Sequence, residues 1–505
     1  MKNSLIITLL FCCIAPLLHG QKLSGSEIRA IAHDEFSGGV EELIEFLKLS
    51  NIGSDPEQVA QNLEWCRDRF NRLSFDTQII KTEGAPLLFA EKMISDDKKT
   101  ILFYLQIDGQ PVDPSEWDQA DPFIPVIKEK DEKGMWKPVS WDRRIPLQSD
   151  WRIFGRSASD SKGPAMAFIT ALDYFHQKSL ETAWNIKVIM DFQEELGSPT
   201  LARAVEENKS LLDADMVLIM DGTRHISNWP TLTYGARGIA TATIKIFGPS
   251  SPLHSGQYGN YAPNPVFAAS RFIASLKDEK GHVLIPGFYD GIVLSDQDKI
   301  ALRSLPENED SLKMVLGISK SEAVGNNYQE SLQYPSLNIR GLRSAWVGKE
   351  VRTIIPEDVE IEIDMRLVPE TPGERMVQLL EGHLRKEGFY LVDSIPTAEE
   401  RSVHPKIASM KYRLGSQPFR TDMNSETGEF LNRALGKVFG KKVVNMRTTG
   451  GSQPIAPFVK TMDVPAVSIR IPNPDNSIHA PNENLRLGNF LEGIMMCMAI
   501  LNEPN

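Results

Sequence analysis

The sequence predicts an α/β protein built on a mostly parallel sheet and carrying an inserted α+β domain. Three observations support this. Between residues 100 and 220 short apolar runs alternate with stretches of helical length, the strand-helix-strand order that lays strands parallel. Each apolar run ends in polar, mainly acidic residues: Gln106 and Asp108, then Glu194 and Glu195, then Asp221. After Tyr234-Gly-Ala-Arg-Gly238 the composition shifts to alternating strands, long helices and a charged middle at 296–321, and the earlier kind of pattern resumes near residue 422.

Residues 1–20 hold one charge, Lys2, then an apolar run from Leu5 to Leu18 and a small residue, Gly20. This reads as a secretory signal cleaved after Gly20. The run is too short for a membrane span, and no later run approaches the ~20 apolar residues a span needs. Phe11 does not suit the position before a lipidated Cys12, so the expected product is released, secreted or periplasmic. The chain of 505 residues is 41% apolar with a net charge of -12, and loss of Lys2 with the leader makes it one unit more negative. That argues against nucleic acid and anionic membranes as partners. Two of the four cysteines lie in the leader; the others, Cys66 and Cys497, allow at most one disulfide and form no zinc-ligand spacing. Length alone suggests about three domains. The pattern supports two.

Residues 28–73 read as two surface-packing helices without chemistry, and 100–105 as a short strand. The glycine-punctuated loop 153–163 leads into an apolar helix at 165–175, followed by a buried strand at 184–192, a helix at 201–208 and a strand at 216–220. The inserted domain supplies strands at 239–247, 336–339 and 359–367. Beyond it come an amphipathic helix at 422–439, the loop 448–454, a strand at 466–471, the stretch 476–483 and a closing helix at 487–501.

In such sheets ligands bind beyond the carboxyl ends of the strands, where Gln106, Asp108, Glu194, Glu195 and Asp221 all fall. Glu194 and Glu195 cannot face the same way on an extended chain. If both are used they sit in a turn, one as ligand and one as base, and Gly197 allows that turn to be tight. Each residue alone reads as a cap or turn residue, Asp160 and Ser198 especially. Jointly, with Asp160 on the neighbouring loop, they form an acidic cluster whose repulsion requires cations or protons, which points to a metal site.

Nine stretches then follow in order: Gln110-Pro-Val-Asp-Pro114 with Asp121-Pro-Phe, Gly155-Arg-Ser-Ala-Ser-Asp-Ser-Lys-Gly163, Glu194-Glu-Leu-Gly-Ser198, Asp221-Gly, Tyr234-Gly-Ala-Arg-Gly238, Leu253-His-Ser-Gly256, Arg366-Leu-Val-Pro369, Gly450-Gly-Ser452 and His479-Ala-Pro-Asn-Glu483. From about residue 30 onward the chain resembles the carnosinase-like and carboxypeptidase G-like metallopeptidases, with the related aminoacylases and desuccinylases. The resemblance implies a metallopeptidase catalytic domain in two segments, 21–236 and 397–505, holding two metal ions, usually zinc. It also implies an inserted lid, 237–396, through which two chains form a homodimer. Asp160 would bridge the metals, Glu195 and His479 would complete one site and Asp221 would belong to the other. Glu194 would be the general base and Asp108 an orienting acid. His254 would reach the substrate carbonyl of the opposite subunit, and Thr353, Arg366, Gly450, Gly451 and Ser452 would hold the substrate carboxylate.

One position departs from the pattern. Where the family has a histidine ligand to the second metal, this chain has Gln106. A site of Gln106, Asp160 and Asp221 suits magnesium, manganese or calcium better than zinc. His225, four residues beyond Asp221, is an alternative ligand, against which stands the ordinary fate of a histidine on a polar loop, to be solvated. The leading reading is therefore a secreted hydrolase of dipeptides or N-acyl amino acids, with zinc in one site and zinc or a harder ion in the other. A second reading, motivated by Gln106, is an impaired relative that binds a carboxylate-bearing ligand without cleaving it. A third, a serine hydrolase using Ser159 and Lys162, lacks the partner motifs such enzymes need.

Overall fold

The computed structural model describes residues 22–142 and 144–505, so the leader reading lies outside the described residues. Two sheets organise the chain. The larger has eight strands, and its centre is the parallel set Asn185–Asp191, Thr100–Gln106, Met216–Ile219 and Ala466–Arg470. Antiparallel pairings add Leu87–Lys92 and Asp76–Ile80 at one edge and Thr231–Thr233 at the other, where Val444–Met446 pairs parallel to Thr231–Thr233 as the outermost strand. All seven residues of Asn185–Asp191 are buried, as expected for a strand covered on both faces.

The helices Gly25–Leu47, Lys162–Gln177, Glu426–Phe439 and Leu487–Asn502 pack together beneath one face of this sheet. The first goes deeper than a surface-packing helix: Ile28, Ala32, Phe36, Val40, Leu43 and Phe46 recur at helical spacing and are all buried. Truncating such a side chain to alanine typically costs about 2–5 kcal/mol. Cys66 and Cys497 are both buried and unbridged, which closes the disulfide option, and burial pushes the Cys66 thiol up to about 12. No described helix is long and apolar enough to cross a membrane.

The smaller sheet has five strands in the order Ser336–Arg343, Asp358–Leu367, Gly238–Phe247, Ile407–Leu414, Tyr390–Leu391. Burial alternates residue by residue along Gly238–Phe247 and Asp358–Leu367, so one face is apolar; the helices Pro265–Leu276 and Gly373–Lys386 cover it. Here the expected boundary at 396 is corrected. Ile407–Leu414 pairs with Gly238–Phe247 along eight residues, so the lid sheet runs on to Leu414. The strand escapes a local reading because Lys411, Tyr412 and Arg413 face solvent and its partner lies far upstream.

The charged middle of the lid does not project freely. Glu307 receives His225 Nε2 at 2.9 Å and the Gln329 amide, while Arg447 Nε donates to Asp298 at 3.1 Å and its Nη1 to Gln333 at 2.7 Å. The contacts of His225 and Arg447 tie the inserted segment to the catalytic domain beside the strand ends, while that of Gln329 braces Glu307 from within the insert. His225 is buried and turned toward Glu307, with Ser227 on its other nitrogen, so it is neither solvated nor a substitute metal ligand.

Candidate metal centre

The carboxyl ends of the central strands assemble the centre, and buried acids hold the loops that carry it. Beyond Asp191 the chain makes a single tight turn, Glu194–Leu196, closed by Gly197 at φ 81°. Asp108 fixes that turn: Oδ1 accepts the Glu194 amide at 2.9 Å and Oδ2 accepts the Glu195 amide at 3.1 Å. Asp191 holds its other side, accepting Tyr104 Oη at 2.9 Å, Ser198 Oγ at 2.6 Å and the Gln193 amide at 2.9 Å. The two glutamates therefore project from one rigid turn. Asp108 acts on them through their backbone, which makes it a positioning residue. Burial, with Asp191 nearby, pushes its carboxyl up to about 8 against the pull of the two amides.

The loop before helix Lys162–Gln177 brings Asp160, and Glu483 organises that loop from the far end of the chain. Glu483 is fully buried and accepts four hydrogen bonds, from Arg156 Nη1 at 2.7 Å and from the amides of Ser157, Ser159 and Asp160 at 2.9, 2.8 and 2.8 Å. Four residues before it, His479 places Nε2 at 2.9 Å from Asp160 Oδ2 and 3.3 Å from Glu195 Oε2. Among the described residues, Asp160, Glu195 and His479 form a group of potential metal ligands, with donor atoms within 4.8 Å of one another.

Two carboxylates and one imidazole are a suitable set for a zinc-type ion with an open position. The electrostatics agree. Hydrogen bonds to Asp160 and Glu195 raise His479 to about 10, so a proton already stands where a cation is favoured. Burial pushes the Asp160 carboxyl up, and Asp221, Glu195 and Glu483 add to this against the hydrogen bond from His479. Glu194 belongs to no such ligand group; burial and then repulsion from Asp221, Asp160, Glu195 and Asp108 raise its proton affinity well above that of an ordinary carboxylate.

Asp221 lies one hydroxyl away from this group. Ser161 Oγ is 3.0 Å from Asp160 Oδ1 and 2.9 Å from Asp221 Oδ1, and Gln453 Nε2 donates to Asp221 Oδ2 at 2.8 Å. Below it Gly222 (φ 92°) leaves room for Arg470; a Cβ there would come within 1.2 Å of Nη1. Gln106 ends its strand 2% exposed, and neither of its amide atoms has a hydrogen-bond partner.

The expected carboxylate-binding residues divide into two places. Arg366 Nη1 donates to Ser452 Oγ at 3.1 Å, joining the lid to the Gly450, Gly451 and Ser452 loop, and Gln453 continues from that loop to Asp221. His254 and Thr353 lie elsewhere on the lid, His254 in the ladder of Leu253–His254 with Ile354–Ile355 and Thr353 just before it, its carbonyl accepting the Ser255 amide at 3.1 Å. Both are exposed, and His254 Nδ1 accepts the Gly256 amide at 3.1 Å. The sequence reading missed Gln453, Arg470 and the anchoring roles of Asp191 and Glu483. It also carried a serine-lysine pair that the structure separates: Lys162 Nζ donates to the carbonyls of Phe46 and Leu49, and Ser159 Oγ to that of Asn484.

Known proteins resemble this chain in sequence and fold. Human Beta-Ala-His dipeptidase is 27% identical over 428 residues, covering 83% of this chain and 77% of its own length. The Cys-Gly metallodipeptidase of Schizosaccharomyces pombe is 26% identical over 424 residues, covering 83% and 82%. The crystal structure of an M20 family metallo-carboxypeptidase from Sulfolobus solfataricus superposes with a TM-score of 0.73 at 27% identity, covering 92% of this chain and 98% of that one. Residues 102–503 match the sequence profile of peptidase family M20/M25/M40, and the chain belongs to that family.

Proposed function

We propose that the protein is an exported, zinc-dependent dipeptidase or N-acyl amino acid hydrolase that recognises a free carboxylate on its substrate. The observation that carries this is the placement of Glu194, a carboxylate of raised proton affinity, on the same turn as Glu195 of the Asp160, Glu195 and His479 group. A metal ion held by those three residues would polarise the amide carbonyl and make water acidic enough to ionise near neutral pH. Glu194 then takes the proton of the attacking water and passes it to the departing amine, work for which a carboxylate with a pKa lifted toward the operating pH is suited. Arg366, beside Ser452, offers the planar fork that pairs two-to-two with a carboxylate. The non-catalytic alternative finds no support in a site that retains base and ligand group together.

Removal of metal by a chelator should abolish hydrolysis, and zinc should restore it. The assay takes a panel of dipeptides, including β-Ala-His and Cys-Gly after the named relatives, alongside N-acyl amino acids. Activity that survives exhaustive chelation would overturn the reading. Export rests on the leader, and an N-terminus at Gln21 in the released protein is its check.

The lid reading adds that the active form is a homodimer in which His254 serves the opposite subunit. Its support is that His254 is exposed and makes no hydrogen bond to the metal ligands of its own chain. Mixing His254→Ala with Glu194→Gln chains should restore activity, because each hybrid keeps one composite site with both residues. No recovery after verified subunit exchange would refute action in trans.

A further inference from the structure

We infer that the centre has a second cation site of a different kind, an oxygen-only site made by Gln106, Asp160 and Asp221 that takes a hard divalent ion such as manganese or magnesium in preference to zinc. The inference deepens the metal reading of the site and rests on it.

The argument starts from register. Thr100–Gln106 runs parallel to Met216–Ile219 with Tyr104 level with Ile219, so Gln106 comes level with Asp221 two residues further along. Strand alternation puts Leu102, Tyr104 and Gln106 on one face, and Val217, Ile219 and Asp221 on the same one. Leu102, Tyr104, Val217 and Ile219 indeed pack in one apolar cluster. Gln106 and Asp221 are therefore neighbours at the carboxyl edge, and Asp221 is joined to Asp160 through the Ser161 hydroxyl.

The second observation is independent of that acidity. Gln106 is 98% buried and neither Nε2 nor Oε1 has a partner. Buried amides are almost always satisfied, so an orphaned one at the edge of a polar site marks the place of a bound species. Its neighbours there are carboxylates, which have no proton to offer Oε1. A cation satisfies Oε1 and both carboxylates together, and leaves Nε2 free to donate to a water or to substrate. The two sites then differ in donor chemistry. Asp160, Glu195 and His479 include a nitrogen, whereas Gln106, Asp160 and Asp221 offer uncharged or carboxylate oxygen alone. Oxygen sets favour magnesium, manganese or calcium, and imidazole favours zinc. Asp221 keeps this role while bonded to Ser161 and Gln453, since each carboxylate oxygen has two lone pairs.

The test reads occupancy, so it is independent of whether the protein turns over any peptide. Metal-free protein is given one equivalent of zinc and titrated with manganese, with free manganese followed by electron paramagnetic resonance and zinc by elemental analysis. The expected result is one zinc and one manganese per chain. Gln106→Leu should keep the zinc and lose the manganese, with retained zinc also reporting that the variant is folded. Gln106→His should change the stoichiometry from one zinc to two. Two equally tight zinc ions in the parent protein, no manganese uptake, or unchanged manganese binding by Gln106→Leu would each overturn the inference.

Discussion

A Glu194→Gln variant is expected to load metal like the parent protein and to hydrolyse its best substrate roughly 10²- to 10⁴-fold more slowly, the usual cost of losing a positioned general base. The substitution is nearly isosteric. Asp108 grips the Glu194 and Glu195 amides rather than their side chains, so the turn keeps its shape. Glu195, the member of the candidate ligand group on that turn, keeps its own hydrogen bond from Gln110 Nε2 at 2.7 Å. What the amide cannot do is accept and return a proton. Zinc stoichiometry and turnover measured on the same sample separate the two effects. A native rate in Glu194→Gln would show that another group moves the proton, and loss of zinc would show that Glu194 is a ligand.

Glu483→Ala should instead damage the fold around the site. Its carboxylate is fully buried against Arg156 and the amides of Ser157, Ser159 and Asp160, all of which would lose their acceptor. Breaking a buried ion pair by deleting one partner costs on the order of 3–5 kcal/mol, because the remaining charge stays buried and uncompensated. The urea midpoint should fall accordingly, and zinc affinity with it, since the loop that presents Asp160 would be released. Glu483→Gln should fall between, keeping one acceptor oxygen while turning an NH₂ group toward donors. An unchanged midpoint and zinc affinity in Glu483→Ala would mean that the loop holds its shape without this acid.

Much of the centre was legible because its chemistry is carried by short stretches. Glu194, Glu195, Asp160 and His479 each stand in a local context that marks a strand end or a loop, and parallel topology gathers such places at one edge. What was not legible depends on partners far apart in the chain. Gln453 meets Asp221 across 232 residues, and His225 meets Glu307 across 82. A histidine on a polar loop reads as solvated until the segment that buries it is known. Ile407–Leu414 was missed for the same reason: three of its eight residues face water, and the strand that pairs with it, Gly238–Phe247, lies far upstream at the start of the insertion. Asp108 was read as an orienting acid, but what it orients was not legible, because its contact is with backbone amides that a sequence does not display.

The reach of Glu483 sets an order on events during synthesis. Its carboxylate accepts the Asp160 amide from 323 positions further along the chain, and His479 travels with it. Translation delivers the Asp160 loop first, and everything between, including the whole lid, must emerge before either residue leaves the ribosome. A nascent chain halted short of them carries the residues of the Glu194 turn, yet neither the acceptor that shapes the Asp160 loop nor the imidazole of the candidate ligand group. Assembly of the candidate centre thus waits on residues 479–483, which are made long after the loop they shape.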